Sequence, residues 1–217
     1  MTGTRKNAVS CTALAVLFAL ACAAPRPKVL VPPRVNLGGF GSIGMVEFGG
    51  MPAGDTGLRA SREFLATLQQ AQPGVPILEL GGESRVLQAV GHEALDPEAI
   101  QAIGEKYHVD ALVVGHLETR GAVPSFSMSS FAESLSASAG ADMEGTLSAR
   151  ILETRSGATL WARSAQWKEP LARVDLTQGT LPQLGATDAN GAEARLVHGL
   201  VSSVTGDFWS HWERAPR

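Results

Sequence analysis

An α/β fold on a mixed β-sheet is what this sequence predicts, and three stretches predict it. The first is 96–118, DPEAIQAIGEKYHVDALVVGHLE, a capped amphipathic helix running into a β-prone run that is polar on neither face. The second is 135–165, where apolar and polar residues alternate before and after a tight turn at 154–157. The third is 192–212, where Val197, Leu200, Val201, Val204, Phe208 and Trp212 recur on one helical stripe. Together they predict parallel βα crossovers in the first half, an antiparallel hairpin in the second, and a long C-terminal helix packed on the sheet.

The elements follow in chain order. Residues 22–38 carry Pro25, Pro27, Pro32 and Pro33, the composition of an extended, semi-rigid tether, and a single domain is expected over 39–217. Gly39-Phe40-Gly41-Ser42-Ile43-Gly44 matches the G-x-G-x-x-G spacing of dinucleotide sites. That motif needs a strand before it and a helix after it, whereas these glycines precede a strand at 43–48, so no nucleotide is expected. Asp55 or Thr56 caps a helix with Leu58, Phe64, Leu65, Leu68 and Ala71 inward, and Gln72-Pro73-Gly74 ends it. A strand is expected over 75–80 and a short helix over 84–90.

In the organising stretch, Asp96 supplies an N-cap oxygen, Pro97 suits the first helical position and Glu98 complements the helix dipole. Ala99, Ile100, Ile103 and Tyr107 make its apolar side, and Ala111 to Gly115 is the strand. Downstream, Val123 to Phe131 is a strand candidate of the same meander, and odd positions from Leu135 to Ile151 are apolar or small. Residues 168–190, with Pro170, Gly179, Pro182 and Gly185, are expected to be loop.

The first 21 residues are an address label. Arg5 and Lys6 precede a largely apolar run over 8–21, too short to span a bilayer as a helix. Cys11 leaves with that segment, so Cys22 is the only cysteine remaining and no internal disulfide is possible. Removing 1–21 takes away two of the 18 basic residues and none of the 21 acidic ones, for a net charge of −5. A mildly acidic chain without a basic stripe excludes nucleic acid as the expected partner.

Phe18-Ala19-Leu20-Ala21-Cys22 resembles the lipobox of bacterial lipoproteins, with Ala19 where leucine is usual. The resemblance implies a palmitate-bearing N-terminus at Cys22. Ala23 rather than Asp after it implies sorting to the outer membrane, with the chain facing the periplasm. Ile100-x-x-Ile103-Gly104-x-x-Tyr107-x-Val109-Asp110-Ala111-Leu112-Val113-Val114-Gly115 is similar to the "lG…yGvDallvG.l" segment of CsgG-type curli assembly lipoproteins. The N-terminal domain of TolB and the synthase activator LpoB look similar too. Their "a.lle..tG..lw" strand is matched by Ser148 to Trp161. The likeness covers about 40–167 and lies in core and turn positions. It implies an α/β sandwich used for protein–protein assembly in the cell envelope. CsgG-type pores insert two apolar-faced hairpins per subunit. Here one hairpin region is expected, 123–145, and its residues are mostly Ser, Ala and Gly.

No catalytic motif is present. His116 and Glu118 alternate onto one strand face, but no third ligand stands at a recognisable spacing, so neither metal nor cofactor is expected. His198 and His211 are expected on different faces of the last helix. Trp161, Trp167 and Trp209 are the candidate partner surface, Trp161 being also the best candidate for core packing under the last helix. The expectation is a non-catalytic lipoprotein that binds or helps assemble another envelope protein, or associates with itself. The alternatives are a ring-forming CsgG-type secretion subunit and a periplasmic metal-dependent hydrolase using His116 and Glu118.

Overall fold

A computed structural model describes residues 28–51, 54–131, 134–177, 183–186 and 188–214. The chain divides into two compact units, one over Pro33–Trp209 and one built from segments at the two ends. In the small unit, β1 (Lys28–Val31) pairs antiparallel with β9 (His211–Arg214).

The large unit is α/β with a mixed sheet, as the sequence predicts. Its strands are β2 (Ile43–Glu47), β3 (Gly49–Met51), β4 (Ile77–Gly82), β5 (Ala111–Phe131), β6 (Ser134–Glu153), β7 (Thr159–Thr177) and β8 (Gln183–Ala186). The order is β4-β2-β5-β6-β7-β8, with β3 also beside β5. β2 runs parallel to β4 and β5, and the β5-β6-β7-β8 meander is antiparallel throughout. The helices are α1 (Thr56–Ala71), α2 (Glu83–Val90), α3 (Pro97–Tyr107) and α4 (Ala189–Val204).

Alternation along β5 sorts the core into two layers. Ala111 and Val113 pack with Phe64 and Leu68 of α1 and Leu200 and Val204 of α4. Leu112 and Val114 pack with Val86 of α2 and Ile100 and Ile103 of α3. This is why the run is polar on neither face: helices cover both sides of it.

The capped helix is as read from the sequence. Ala99 N donates to Asp96 Oδ1 at 2.7 Å, and Pro97 opens α3. Gly104 brings α3 against the 154–157 turn, where a Cβ would stand 2.5 Å from Thr154 Cβ. The buried Thr154 hydroxyl donates to Val109 O at 2.7 Å, tying the end of α3 to the β6–β7 turn. The glycine cluster at 39–44 leads from a 3-10 turn (Leu37–Phe40) straight into β2.

Four expectations need correction. Residues 168–177 are strand, and 183–186 are a further strand, because β6 offers a hydrogen-bonding edge as far out as Ser136 and β7 in turn pairs with β8. Arg173 to Thr177 does alternate polar and apolar, but Pro170 before it and Gly179 and Pro182 after it give the stretch the composition of a loop. The last helix stops at Val204, followed by a 3-10 turn over Thr205–Phe208 that contains Gly206. Trp212 and His211 therefore lie in β9, opposite Leu30 and Val31, and not on a helical stripe. Finally, the arm expected as tether over 22–38 contains β1 and the 3-10 turn capped by Asn36. The Gln72 amide fastens its end, donating to Val35 O at 2.6 Å and Phe208 O at 3.1 Å while accepting from Leu37 N at 2.7 Å.

His108 ends α3 in the left-handed region at φ 54°, where a Cβ is unfavourable and where the resembling pattern carries glycine. His108→Gly should therefore raise the unfolding free energy by up to about 1 kcal/mol, the side-chain clash relieved outweighing the backbone entropy added. Urea denaturation of the two proteins checks it.

Candidate functional site

Past Val114 the two faces of the meander part company. On the face covered by α1 and α4, Leu117 and Leu147 are buried, and Gly145 lies under Leu196 and Leu200 of α4. On the other face no helix follows, and the paired rows turn polar. They read His116–Ser148–Ser164, Glu118–Thr146–Gln166 and Arg120–Glu144–Lys168. The Ser148 and Ser164 hydroxyls meet at 3.0 Å, and Lys168 Nζ donates to Glu144 Oε1 at 2.5 Å, which holds the ammonium above its ordinary range. A shallow cavity of about 320 Å³ lies between Glu118, Arg120, Glu144 and Lys168. His116 and Glu118 share this face, their Nε2 and Oε1 atoms 3.9 Å apart. Among the described residues no group of three His, Cys, Asp or Glu is placed to hold a metal ion.

The same two faces continue outward through a pair of register shifts. β5 bulges between Arg120 and Val123, where Ala122 has φ 53°. β7 gains one residue against β6 between the Ala141 and Asp142 pairs. β6 itself keeps its alternation, so each bulge resets its neighbour's parity to match. The outer rows then sort by polarity. Pro124–Ala141–Ala172–Ala186, Phe126–Ala139–Val174–Leu184 and Met128–Ala137–Leu176 are apolar. Between them run Ser125–Gly140–Arg173–Gly185, Ser127–Ser138–Asp175–Gln183 and Ser129–Ser136–Thr177. Alternate rows belong to opposite faces of a pleated sheet. The sets mix at both ends of this run, in Val123–Asp142–Pro170 next to the bulges and in Ser130–Leu135 and Phe131–Ser134 at the far end.

This corrects the expectation of a single hairpin. The extension has two, β5–β6 and β7–β8, giving four strands. The serines fall in one set of rows and the larger apolar residues in the other, and Phe126 is 71 % exposed.

The tryptophans separate by what lies opposite them. Trp161 is 9 % exposed and belongs to the core, not to a partner surface. Its ring packs at 4.8 Å from that of Phe208, and its Nε1 donates to Asp207 Oδ2 at 3.2 Å. Trp167 lies six residues on along the same strand, on the helix-covered face, yet stays 41 % exposed. Its indole rests over Gly199 of α4, where a Cβ would come within 2.5 Å of the ring. Beside it runs a groove of about 480 Å³ along Glu169, Arg195, His198 and Ser202. Glu169 pairs with Arg195, and His198 Nδ1 lies 2.6 Å from Glu63 Oε1 of α1. Trp209 is exposed, as is Trp212, which was not among the expected surface residues because its helical spacing assigned it to the core. Cys22 lies outside the described residues.

No family model matches the chain. No curated protein sequence matches it either. Among solved structures it is similar to the PelC dodecamer from Paraburkholderia phytofirmans, with TM-score 0.44 and 9% identity over 83% of this chain and 97% of that one. It is also similar to the lipoprotein GNA1162 from Neisseria meningitidis, with TM-score 0.35 and 17% identity over 76% and 98%. The C-terminal domain of LpoB from Salmonella enterica gives 0.33 and 10% over 59% and 83%. At such scores the likeness carries no functional weight.

Asp207 joins the two ends of the large unit. Its carboxylate takes Arg163 Nη1 at 2.7 Å and lies 3.8 Å from Arg34 Nη1. The Arg163 hydrogen bond holds it below the ordinary carboxylate range. Partial burial opposes this, and the Trp161 N–H and the arginine charges add to it. A depressed folded-state value contributes stability above the unfolded value, which is lost as pH falls through the folded one. Asp207→Asn should therefore cost about 1–3 kcal/mol at pH 7. The gap to the unsubstituted protein should hold down to about pH 4 and close below it. Thermal melts over that range read both.

Proposed function

We propose that this is a non-catalytic lipoprotein of the outer membrane, held by an acylated Cys22, that faces the periplasm and works by protein–protein assembly. The observation that carries this is the four-stranded extension with its segregated rows. In its apolar rows Phe126 is open to solvent. An apolar sheet face of that extent marks a surface that another molecule covers. Three of its strands run 21, 20 and 19 residues, so their outer portions match the ~9–11 residues of a membrane-crossing strand.

Two forms of assembly fit. In one, the extension docks on a different envelope protein. In the other, copies of this chain form a ring and the extensions join edge to edge, as the resemblance to CsgG-type secretion subunits implies. The row pattern favours the ring form. Apolar rows face lipid and polar rows face an aqueous interior, the arrangement a barrel wall requires. The short β8 leaves an edge for the next copy's β5 to pair with.

Light scattering on detergent-extracted protein tests this. A single closed multimer of the chain is expected, a stoichiometric complex with another envelope protein supports the docking form, and a monodisperse monomer contradicts both. Cys22→Ser should release the protein from the outer membrane, and undiminished retention would remove the anchor from the account.

A further inference from the structure

The ribbon of β1 and β9 is eight residues of backbone pairing with every residue but Val31 exposed. Two short strands alone are marginal in water. Direct cross-strand partners share a face, so one face holds Lys28 opposite Arg214 and Leu30 opposite Trp212. The other holds Val29 opposite Glu213 and Val31 opposite His211. The first face sets two cations directly across from each other, an arrangement that is unfavourable in water, and places beside them Leu30 and a Trp212 that is 66 % exposed. An anionic surface with an apolar layer beneath it relieves both costs at once.

We infer that the Lys28–Leu30–Trp212–Arg214 face of this ribbon lies on the lipid headgroup surface, its two cations on lipid phosphates and its indole at the apolar boundary. This rests on the reading of Cys22 as the lipid attachment site. Lys28 is six residues from Cys22, so the chain between them spans at most about 20 Å and keeps β1 near the bilayer. Tryptophan is favoured at that depth, and lysine and arginine reach the phosphates above it. The positive face stands out in a chain whose net charge is −3. The ribbon pairs the strand nearest Cys22 with the last described strand, so one membrane contact holds both strands.

The experiment uses the native protein reconstituted in phosphatidylethanolamine–phosphatidylglycerol vesicles with brominated acyl chains, reading tryptophan emission. Quenching is expected, and Trp212→Phe should lose most of it. Lys28→Gln combined with Arg214→Gln should reduce it, as should replacing phosphatidylglycerol with phosphatidylcholine. Quenching that survives unchanged in Trp212→Phe overturns the proposal. Palmitate labelling of cells tests Cys22 separately. A labelled protein whose Trp212 is not quenched overturns the ribbon contact and leaves the anchor standing. An unlabelled protein whose Trp212 is quenched on added vesicles supports the contact and removes the anchor.

Discussion

β6 is hydrogen-bonded on both edges from Ser136 to Leu152, and its strict alternation is the constraint to which the rest of the large unit conforms. Over most of that length its odd residues are apolar or small and its even ones polar. A strand with such a pattern can exchange its faces only by slipping one residue, which would bury every charge it carries. β5 and β7 do not have matching patterns over their whole length. In the outward direction each takes up the mismatch in a bulge, near Ala122 and near Leu171, and beyond that point each is again in phase with β6. β7 has a further shift at its inner end, between the Ile151 and Leu152 pairs. The helix-covered core and the outer apolar rows are thereby one continuous face, and the polar cavity and the outer serine rows are the other.

Much of the inner fold was legible because its signals are local. Asp96 and Pro97 announce the start of α3, and Ala111 to Val114 announce a strand covered on both sides. The outward half of β7 was not legible. Pro170, Arg173 and Asp175 look like loop residues, and only pairing with β6 makes them strand. β9 was hidden for a similar reason. Trp212 continues the spacing of Val204 and Phe208, but the chain leaves the helix at Thr205 and finds its partner in Leu30, far away in sequence. In β7 the alternation of Arg173 to Thr177 is masked by the prolines and glycine around it, and β9 is too short to show any.

The candidate site shows the same division. Trp161 and Trp167 share one strand face, but alternation does not give their depth. Phe208 and Asp207 close over Trp161, whereas Trp167 rests on Gly199 beside an open groove. In the extension, composition alone shows only that serine, alanine and glycine dominate. Register shows the serines gathered into rows separate from Phe126, Met128, Val174 and Leu176. Amphipathicity there belongs to four paired strands and to none of them alone.

The central claim is that β6 presents water to its even residues and a covered surface to its odd ones along the extension. With Cys22 acylated the mature chain has no other thiol, so single cysteines report cleanly. Reaction of a membrane-impermeant maleimide with cysteines placed at Ser136, Ala137, Ser138 and Ala139, in the assembled membrane-bound protein, is the direct measurement. The account predicts rapid labelling at Ser136 and Ser138 and protection at Ala137 and Ala139. Equal labelling at all four positions would contradict it.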